Sequence, residues 1–492
     1  MRKRLRILRP SEATLLVLLT IVLALALPGC ESLFCRVGKG HHTEIEGPVR
    51  ESWVNLYGGD DSDIASQLVV DNSGNVYVSG TTATIKYNSE GKKLWAFGSG
   101  AYMAVDGKDN LYAAIGSGAY ITVDPRGNRY ATGCSEDSYV TKKYDSDGHI
   151  VSVMRYAGPA GFRSCISAVA VDGSDYVYVT GFTCEDNSCG RNNRSYATVK
   201  YDSEGNQLWV ARYSSLSKGL GYPKSIAVDS YGNVYIAGSS YSEGGAEYCT
   251  TIKYDSKGNQ LWVALFNSPG ASTNHLNAMV LDDSGNIYIA GSGAYKGSDF
   301  DCTTVKYDSN GNQLWAARYN GPASKADEAN AIAVDSSGNV YVTGYSSGNY
   351  TVGRSYANNT VTDIYGGSDY ATIKYDRDGN ELWVARYNGL AAPYSARPRA
   401  MAIDYSGNVY VTGYSDGNGT QNDIATLKYD TNGNQVWVAR YNGELNYDDE
   451  PYAIALDAQG NVYVAGSTTT RICGAILDER YYEDYVVIKY SQ

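Results

Sequence analysis

The sequence predicts an all-β protein made of repeated four-stranded sheets, and three observations lead to this prediction. The 54 Gly and 46 Tyr, against only 6 Phe and 19% charged residues, are typical of many short strands and turns. One phrase, Lys-Tyr-Asp-Ser-x-Gly-Asn-Gln-Leu-Trp, recurs with its tyrosine at Tyr201, Tyr254 and Tyr307, 53 residues apart at each step. Within each copy apolar residues alternate with a period of two, the period of a β-strand.

The copy that starts at Ala331 shows the elements in order. Four alternating runs are rich in Val, Ile, Tyr, Thr and Trp and cover residues 331–334, 339–343, 370–375 and 381–387. Asp-Ser-Ser-Gly-Asn separates the first two runs, and Asp-Arg-Asp-Gly-Asn separates the last two. Both are tight-turn sequences, since Asp accepts backbone hydrogen bonds and Gly adopts a positive φ. Each sheet has two apolar faces and must pack between copies of itself, as the blades of a β-propeller do.

The number of blades follows from the Lys-Tyr pair of the third strand. It occurs eight times, with tyrosines 87, 144, 201, 254, 307, 375, 429 and 490. The last copy stops before its Trp strand, whereas Trp53 and Tyr57 near the N-terminus have the matching spacing. We therefore expect the N-terminal strand to complete the last blade and close the ring, which also covers a sheet edge. Two first-half motifs only 18 residues apart, at Asp106 and Asp124, leave seven or nine blades open as alternatives to eight.

The repeated phrases Gly-Asn-Val-Tyr-Val-Thr-Gly and Ile-Lys-Tyr-Asp-x-x-Gly-Asn-Gln-Leu-Trp-Val-Ala-Arg-Tyr-Asn-Gly resemble the SBBP-type β-propeller repeat of bacterial surface and secreted proteins. More distantly they resemble the NHL repeat. The resemblance covers about residues 51–492, which we predict to form the propeller. It implies that the first strand of each blade is innermost and the Trp strand outermost.

The first residues have the layout of an export signal. Five basic residues and one acidic residue flank an apolar run that is too short for a comfortable membrane span. Leu27, Pro28, Gly29 and Cys30 resemble a bacterial lipobox, although Pro28 is unusual there; an ordinary signal peptide or a single anchor helix are the alternatives. The resemblance implies cleavage after residue 29 and acylation of Cys30. It also implies a lipid-anchored envelope location, at the outer membrane or cell surface in a Gram-negative organism. Residues 30–50 are predicted to be a tether to the propeller.

Charge and motif content exclude several functions. The net charge is −12, and removal of the basic signal leaves the remainder more acidic, so nucleic acid is an unlikely partner. The membrane is expected to be contacted through the lipid anchor alone. No metalloprotease helix, nucleophile elbow, phosphate loop or dinucleotide motif is present, and His41–His42 lacks further ligands. We therefore assign no catalytic residue, metal or cofactor, and expect a monomer.

The cysteines fit an exported protein. Cys184 and Cys189 share one predicted loop, and Cys134 and Cys165 fall on the same face of neighbouring blades, so both pairs are disulfide candidates. Cys249 and Cys302 occupy equivalent positions in adjacent blades and are interpreted as small buried residues.

Both tight turns of every blade lie on one face of the disc, here called the turn face, and the opposite face is called the loop face. All long insertions fall on the loop face, at residues 182–195, 345–369, 415–423 and 467–484. Rigid tyrosines among adaptable polar residues suit recognition. The candidate ligand-contacting residues are Tyr350, Arg354, Tyr356, Tyr365, Arg480, Tyr481 and Tyr482. We expect a binding or assembly scaffold for protein or glycan. The alternative is a secreted lyase or glycosidase acting on polysaccharide, which would need acids, His or Tyr clustered at the channel mouth.

Overall fold

The structure is a computed structural model. It describes residues 35–492 apart from these short segments: 39, 59–61, 72, 99–102, 106–110, 114–119, 124–128, 136–137, 145–149, 160–163, 185–193, 215–220, 242–244, 296–298, 349–354, 358–359, 363–366, 391–394, 418 and 476–477. In this part of the chain no helix has the length and apolar character needed to span a bilayer.

The described chain begins with three strands that join the end of the propeller. They are β1 (Cys35–Val37), β2 (His41–Glu46) and β3 (Arg50–Tyr57). β1 pairs with β37 (Val462–Ala475), β2 pairs with β35 (Gln435–Gly443) and β3 pairs with β38 (Asp478–Ser491), all antiparallel.

Eight blades follow, each a four-stranded antiparallel meander. Blade 1 contains β4 (Ala65–Val70), β5 (Val76–Gly80), β6 (Ala83–Tyr87) and β7 (Lys93–Gly98), and blade 2 contains β10 (Tyr120–Val123), β11 (Arg129–Ser135), β12 (Ser138–Tyr144) and β13 (Ile150–Ala157). Blade 3 contains β14 (Ser164–Val171), β15 (Val177–Cys184), β16 (Arg194–Tyr201) and β17 (Gln207–Tyr213). Blade 4 contains β18 (Gly221–Val228), β19 (Val234–Tyr241), β20 (Glu247–Tyr254) and β21 (Gln260–Phe266). The hairpin β8 (Met103–Val105) and β9 (Leu111–Ala113) lies between blades 1 and 2.

Blades 5 to 8 complete the ring. Blade 5 contains β22 (Ala271–Leu281), β23 (Ile287–Tyr295), β24 (Phe300–Tyr307) and β25 (Gln313–Tyr319), and blade 6 contains β26 (Asp327–Val334), β27 (Val340–Ser347), β30 (Ser368–Tyr375) and β31 (Glu381–Tyr387). Blade 7 contains β32 (Ala396–Ile403), β33 (Val409–Asp416), β34 (Asn422–Tyr429) and β35 (Gln435–Gly443). Blade 8 contains β36 (Asp449–Leu456), β37 (Val462–Ala475), β38 (Asp478–Ser491) and the N-terminal strand β3. A small hairpin, β28 (Ser355–Ala357) and β29 (Thr360–Thr362), interrupts blade 6.

The blade prediction is confirmed, including the two-stranded remnant. The inner strands contact each other in the order β4, β8, β10, β14, β18, β22, β26, β32, β36 and back to β4. The ring therefore contains eight complete blades, and the hairpin β8–β9 is inserted between the inner strands of blades 1 and 2.

The predicted Asp-x-x-Gly-Asn turns form as the sequence indicates. Asp335 accepts hydrogen bonds from the backbone N–H groups of Ser337 and Asn339 at 2.9 Å, and from the Asn339 amide at 2.7 Å. Gly338 has a φ of 83°, which a side chain would disfavour. The hydroxyl of Tyr341, on the next strand, also donates to Asp335 at 3.0 Å. The turn is therefore fastened to the strand that follows it.

A Tyr–Lys–Trp row crosses most of the blades and, in blade 6, links the blade to the next. In blade 6, Tyr341, Lys374 and Trp383 are paired in register, with the lysine ammonium 5.0 Å from the tyrosine ring centre. Lys374 and Trp383 both donate to the carbonyl of Thr431, in the outer turn of blade 7, at 3.3 and 3.0 Å. Lys374 thus binds a backbone carbonyl of the next blade, which is a structural role.

The same link closes the ring. Trp53 donates to the carbonyl of Ser89 in blade 1 at 3.2 Å, and Lys489 donates to the same carbonyl at 3.0 Å. Tyr57 pairs in register with Tyr485, so β3 is the outer strand of blade 8. One buried cluster includes Tyr463 of blade 8 together with Ala65 of blade 1. The prediction that the N-terminal strand closes the ring is confirmed.

Two expectations about irregular segments are wrong. Part of the predicted tether, residues 41–46, is strand β2, which extends the sheet of blade 7. In β2 half-buried and exposed side chains alternate, as is typical of a strand at the edge of a sheet. The sequence contains no copy of the repeat at these residues. The predicted loop at 467–484 is mostly strand, because β37 and β38 continue their pairing out to Ala475 and Asp478. That extended hairpin projects on the loop face, and β1 pairs with its outer part.

Candidate functional site: the loop-face rim of the channel

The inner strands of the ring surround a central channel, which has one mouth on each face of the disc. At one mouth the residues are nearly the same in every blade, and at the other they vary. At the turn face a cavity of about 1030 Å³ is lined by the inner turns and by apolar residues that precede them, such as Val334 and Ile403. The same turn sequence recurs in successive blades. The cavity therefore offers mostly repeated, structural groups.

The turn carboxylates are already saturated with donors. Burial acts to raise the pKa of Asp335, but hydrogen bonds from Asn339 and Tyr341 outweigh it and lower that pKa. Both of its oxygens are engaged by these groups, which leaves no ligand set for a calcium ion. The described residues contain no group of three or more His, Cys, Asp or Glu that could hold a metal.

The loop-face mouth is different, because its residues change from blade to blade. Each inner strand has two positions there, separated by one residue and located at a bulge in the pairing with the second strand. We call these positions in blades 4 to 8 the channel rim. The rim comprises Tyr222 and Lys224, His275 and Asn277, Glu328 and Asn330, Arg397 and Arg399, and Glu450 and Tyr452. The next residues down each strand repeat as small and branched apolar side chains.

Hydrogen bonds tie neighbouring rim residues together. The Lys224 ammonium donates to Asn277 at 2.9 Å, and Asn277 donates to Glu328 at 2.8 Å. On the far side, Arg399 donates to Glu450 at 3.1 Å. The rim is therefore preorganised across blades, which lowers the entropy lost when a ligand binds.

A histidine–carboxylate pair stands at the rim between blades 4 and 5. The Nε2 atom of His275 lies 2.9 Å from Glu247, whose side chain is only 5% exposed while that of His275 is 42% exposed. The imidazole stacks on Phe300 with ring centres 5.0 Å apart. The hydrogen bond that the imidazole donates to Glu247 raises the pKa of His275, although burial works in the opposite direction. A buried acid thus orients a solvent-accessible imidazole, an arrangement able to transfer protons.

The two rim arginines of blade 7 stack on three tyrosines of blades 6 to 8. Arg397 is exposed and its guanidinium lies over the ring of Tyr345, 4.4 Å from the ring centre. Arg399 lies over Tyr414 at 5.2 Å and over Tyr452 at 5.8 Å. Because stacking engages the face of a guanidinium, its N–H edge remains available for an anion.

Comparison with known proteins agrees with the repeat seen in the sequence. A family described as "SBBP: Beta-propeller repeat" matches residues 208–245, 315–351, 382–419 and 436–471. The chain contains SBBP β-propeller repeats.

Two curated relatives match shorter stretches. An uncharacterized WD repeat-containing protein of Acanthamoeba polyphaga mimivirus is 30% identical over 159 residues, 32% of this chain and 10% of the relative. The regulatory protein FlaEY of Caulobacter vibrioides is 29% identical over 128 residues, 23% of this chain and 13% of the relative. The chain thus spans only a small part of the length of either relative.

Solved propellers are similar at low identity. The WD40 domain of SCAP from fission yeast has 10% identity and a TM-score of 0.44, covering 91% of this chain and 98% of that one. The polysaccharide lyase Uly1 has 11% identity and a TM-score of 0.40, covering 75% and 88%.

Few of the predicted ligand-contacting residues can be placed. Tyr350, Arg354 and Tyr365 lie outside the described residues, and the side chain of Tyr356 does as well. The other three lie on strand β38, beyond the end of the SBBP repeat, where Arg480 is exposed and Tyr481 is 47% exposed. Tyr482 packs under the guanidinium of Arg471 at 4.3 Å. These three residues sit on the projecting hairpin, away from the rim.

Sequence reasoning missed the rim itself. Its signal was present, because the SBBP repeats of one chain can be aligned with each other. In such an alignment no two of blades 4 to 8 share both rim residues, although Glu328 matches Glu450 and Asn277 matches Asn330. The four residues that follow are apolar apart from Ser225. The prediction is based on the long insertions, and it therefore names residues of the loops and not of the rim.

Proposed function

We propose that the protein is a lipid-anchored envelope β-propeller that binds a protein or glycan partner through the channel rim. The observation that supports this most directly is the divergence of the rim within otherwise repeated blades. Eight blades could be held together with identical residues at these positions, so the variety there is explained by contact with a ligand that is not eightfold symmetric.

The test compares the two faces. Purified protein comprising residues 31–492 is screened against an array of glycans and purified envelope proteins. Lys224→Ala combined with Glu328→Ala removes two rim groups, whereas Tyr231→Ala combined with Tyr405→Ala removes the most exposed aromatics of the turn face. We expect the rim variant to lose binding and the turn-face variant to keep it. Equal binding by both variants, or no binding by any form, contradicts the proposal.

A polysaccharide-cleaving enzyme is the second candidate, and the His275–Glu247 pair favours it. Its imidazole is positioned to exchange a proton with a ligand in the mouth while the buried Glu247 stabilises the imidazolium. Wild-type protein and His275→Gln should be incubated with a panel of polysaccharides, and new chain ends measured. His42→Gln, which alters an exposed histidine of β2, is the control. Cleavage that His275→Gln abolishes would establish catalysis, and absence of cleavage leaves a binding protein.

We further propose that disulfides support an exported location. Cys165, Cys184 and Cys473 are disulfide-bonded, whereas the buried Cys249 and Cys302 are free. The pairs Cys184–Cys189 and Cys134–Cys165 remain predictions, since Cys189 and the Cys134 side chain lie outside the described residues. Cys473 faces Cys35 in register across β1 and β37, which makes Cys35 its expected partner. Mass mapping of non-reduced peptides should find these three pairs; other pairings would refute the assignment.

A further inference from the structure

The exposed guanidinium of Arg397 stacks on a tyrosine and has no carboxylate partner among the described residues. Its side chain stacks over Tyr345, and its backbone pairs in register with Tyr414. Within the described part of the chain it donates no hydrogen bond to a carboxylate. By contrast, the repeated outer arginines Arg386 and Arg440 pair with Asp369 and Asp423. Arg397 is thus an oriented cation with open donors on an acidic protein.

Arg399 adds a second cation on the same strand. The bulge between Pro398 and Ala400 takes Arg399 out of the regular pairing with β33, and its guanidinium lies 5.2 Å from the ring centre of Tyr414. Its only carboxylate partner in the described chain is Glu450, at 3.1 Å, and its side chain is 41% exposed. Tyr414 therefore lies next to both arginines, with Arg397 stacked on Tyr345 of blade 6 and Arg399 directed toward Tyr452 of blade 8.

The same kind of pair recurs farther round the mouth. Arg194 lies over Phe182 at 4.6 Å and over Tyr222 at 5.1 Å. Cations seated on aromatic rings therefore occur between blades 3 and 4, between blades 6 and 7, and between blades 7 and 8. A linear ligand with regularly spaced negative charges and flat apolar faces can contact several of these pairs at once.

We propose that the rim binds an anionic polysaccharide, with Arg397 and Arg399 pairing with its carboxylate or sulfate groups. This inference rests on the proposed function and names the class of ligand. An arginine fork matches the two oxygens of such groups, and neighbouring tyrosines provide surfaces for the sugar rings. Because the protein as a whole is acidic, attraction arises by contact at the rim and not by long-range steering.

Titration calorimetry with defined polymers tests the proposal. The probes are polygalacturonate for carboxylate, dextran sulfate for sulfate, dextran as the neutral glycan, and polyglutamate as an acidic peptide. The protein is wild type, Arg397→Gln, Arg399→Gln or Arg397→Lys. Arg377→Gln is the matched control, because it removes the same charge from an exposed turn-face residue.

We expect one or both anionic glycans to bind, and dextran and polyglutamate to bind at least about tenfold more weakly. Each Gln variant should lose roughly 10- to 100-fold in affinity, the usual effect of removing a hydrogen bond between charged groups. Arg397→Lys should recover part of that loss, and Arg377→Gln should match wild type. The carboxylate and sulfate arms identify which oxyanion is preferred.

Three outcomes overturn the inference. Preference for dextran or polyglutamate refutes the anionic glycan but leaves a rim-binding protein. Anionic binding that Arg397→Gln and Arg377→Gln weaken equally shows a general charge effect. No binding to any of the four polymers, while the array screen finds another rim ligand, refutes the ligand class alone; failure of both screens refutes the proposed function as well.

Discussion

Glycine in the outer turns that face a tryptophan has two roles, which can be separated experimentally. Gly258 has a φ of 86°, and a Cβ atom there would lie 2.7 Å from the Trp209 ring of the preceding blade. Gly311 and Gly433 meet Trp262 and Trp383 in the same way. The glycine thus allows the turn and also makes room for the indole, so one residue type serves both the turn and the contact between blades.

Gly258→Ala should therefore cost more than a positive φ alone. Gly270 has the same φ of 86°, but a Cβ there would have nothing within 4 Å. Gly270→Ala is expected to destabilise by about 1–2 kcal/mol, the cost of the left-handed conformation. Gly258→Ala should add roughly 1–3 kcal/mol from overpacking against Trp209. Denaturant unfolding of the two variants measures the difference, and equal values would show that the indole moves aside freely.

Asp449 is the buried acid with the clearest pH signature. It is 1% exposed and accepts a hydrogen bond from the backbone N–H of Gly443 at 2.8 Å. Burial raises its pKa to about 8, so the folded protein holds a proton that the unfolded chain releases near pH 4. Because the folded state binds this proton more tightly, the stabilising effect of protonation is lost as pH rises from about 4 to about 8.

Asp449→Asn should remove that pH dependence. The amide resembles the protonated acid, so the variant should match wild type near pH 4 and exceed it in unfolding free energy at pH 9. Asp378→Asn, in an exposed turn, deletes a charge without burial and is the control. Unfolding curves at pH 5, 7 and 9 decide the matter. A variant less stable than wild type at pH 9 would mean that the charged form is stabilised in the fold.

At the scale of elements, β2 and the residues that follow it take the place of an outer turn that blade 8 lacks. In blade 8 the strands β38 and β3 come from opposite ends of the chain, so the outer turn that covers the preceding tryptophan elsewhere is missing. Residues Ile45, Gly47 and Val49 cover Trp437 instead, and it is only 1% exposed. Its indole N–H has no hydrogen-bond partner, because the usual turn carbonyl is absent.

Deleting residues 31–46 should therefore destabilise the propeller. Loss of β2 exposes the edge of β35 and part of Trp437, which we expect to lower the unfolding free energy by on the order of 2–3 kcal/mol. Deleting residues 31–40 is the control, because it removes β1 and Cys35 but leaves β2, and it should lower the unfolding free energy less. Thermal melts with tryptophan fluorescence compare the two truncations. Identical melting temperatures would show that β2 contributes nothing and that the segment acts as a tether after all.

The elements that could be predicted are those fixed by local, repeated patterns. Alternation and Asp-x-x-Gly-Asn turns defined the blades, and the spacing of Trp53 and Tyr57 matched a missing strand. Strand β2 could not be predicted because its partner, β35, is nearly 400 residues away and imposes no pattern on residues 41–46. The His275–Glu247 pair was equally hidden, since two strands of different blades bring these residues together.

For the whole molecule, the proposed lipid anchor makes a direct prediction. Cys30→Ser should release the protein from membranes and abolish acyl labelling, because a serine hydroxyl does not replace the thiol that the lipid modifies. Fractionation and labelling of both forms provide the measurement. A variant that remains acylated and membrane-bound would refute the lipobox assignment.

The pairing of β1 with the projecting hairpin also sets how far an anchored propeller can stand from its bilayer. Cys35 lies opposite Cys473, two residues from the outer end of β37 on the loop face. Four residues lie between Cys30 and Cys35, and the five Cα–Cα steps of a fully extended chain span only about 17 Å. This distance is shorter than the 21 residues of the predicted tether would allow. With the proposed lipid on Cys30, the hairpin tip would stay close to the lipid surface, and a partner that reaches the rim would have to enter the gap between them or approach a disc tilted onto its edge.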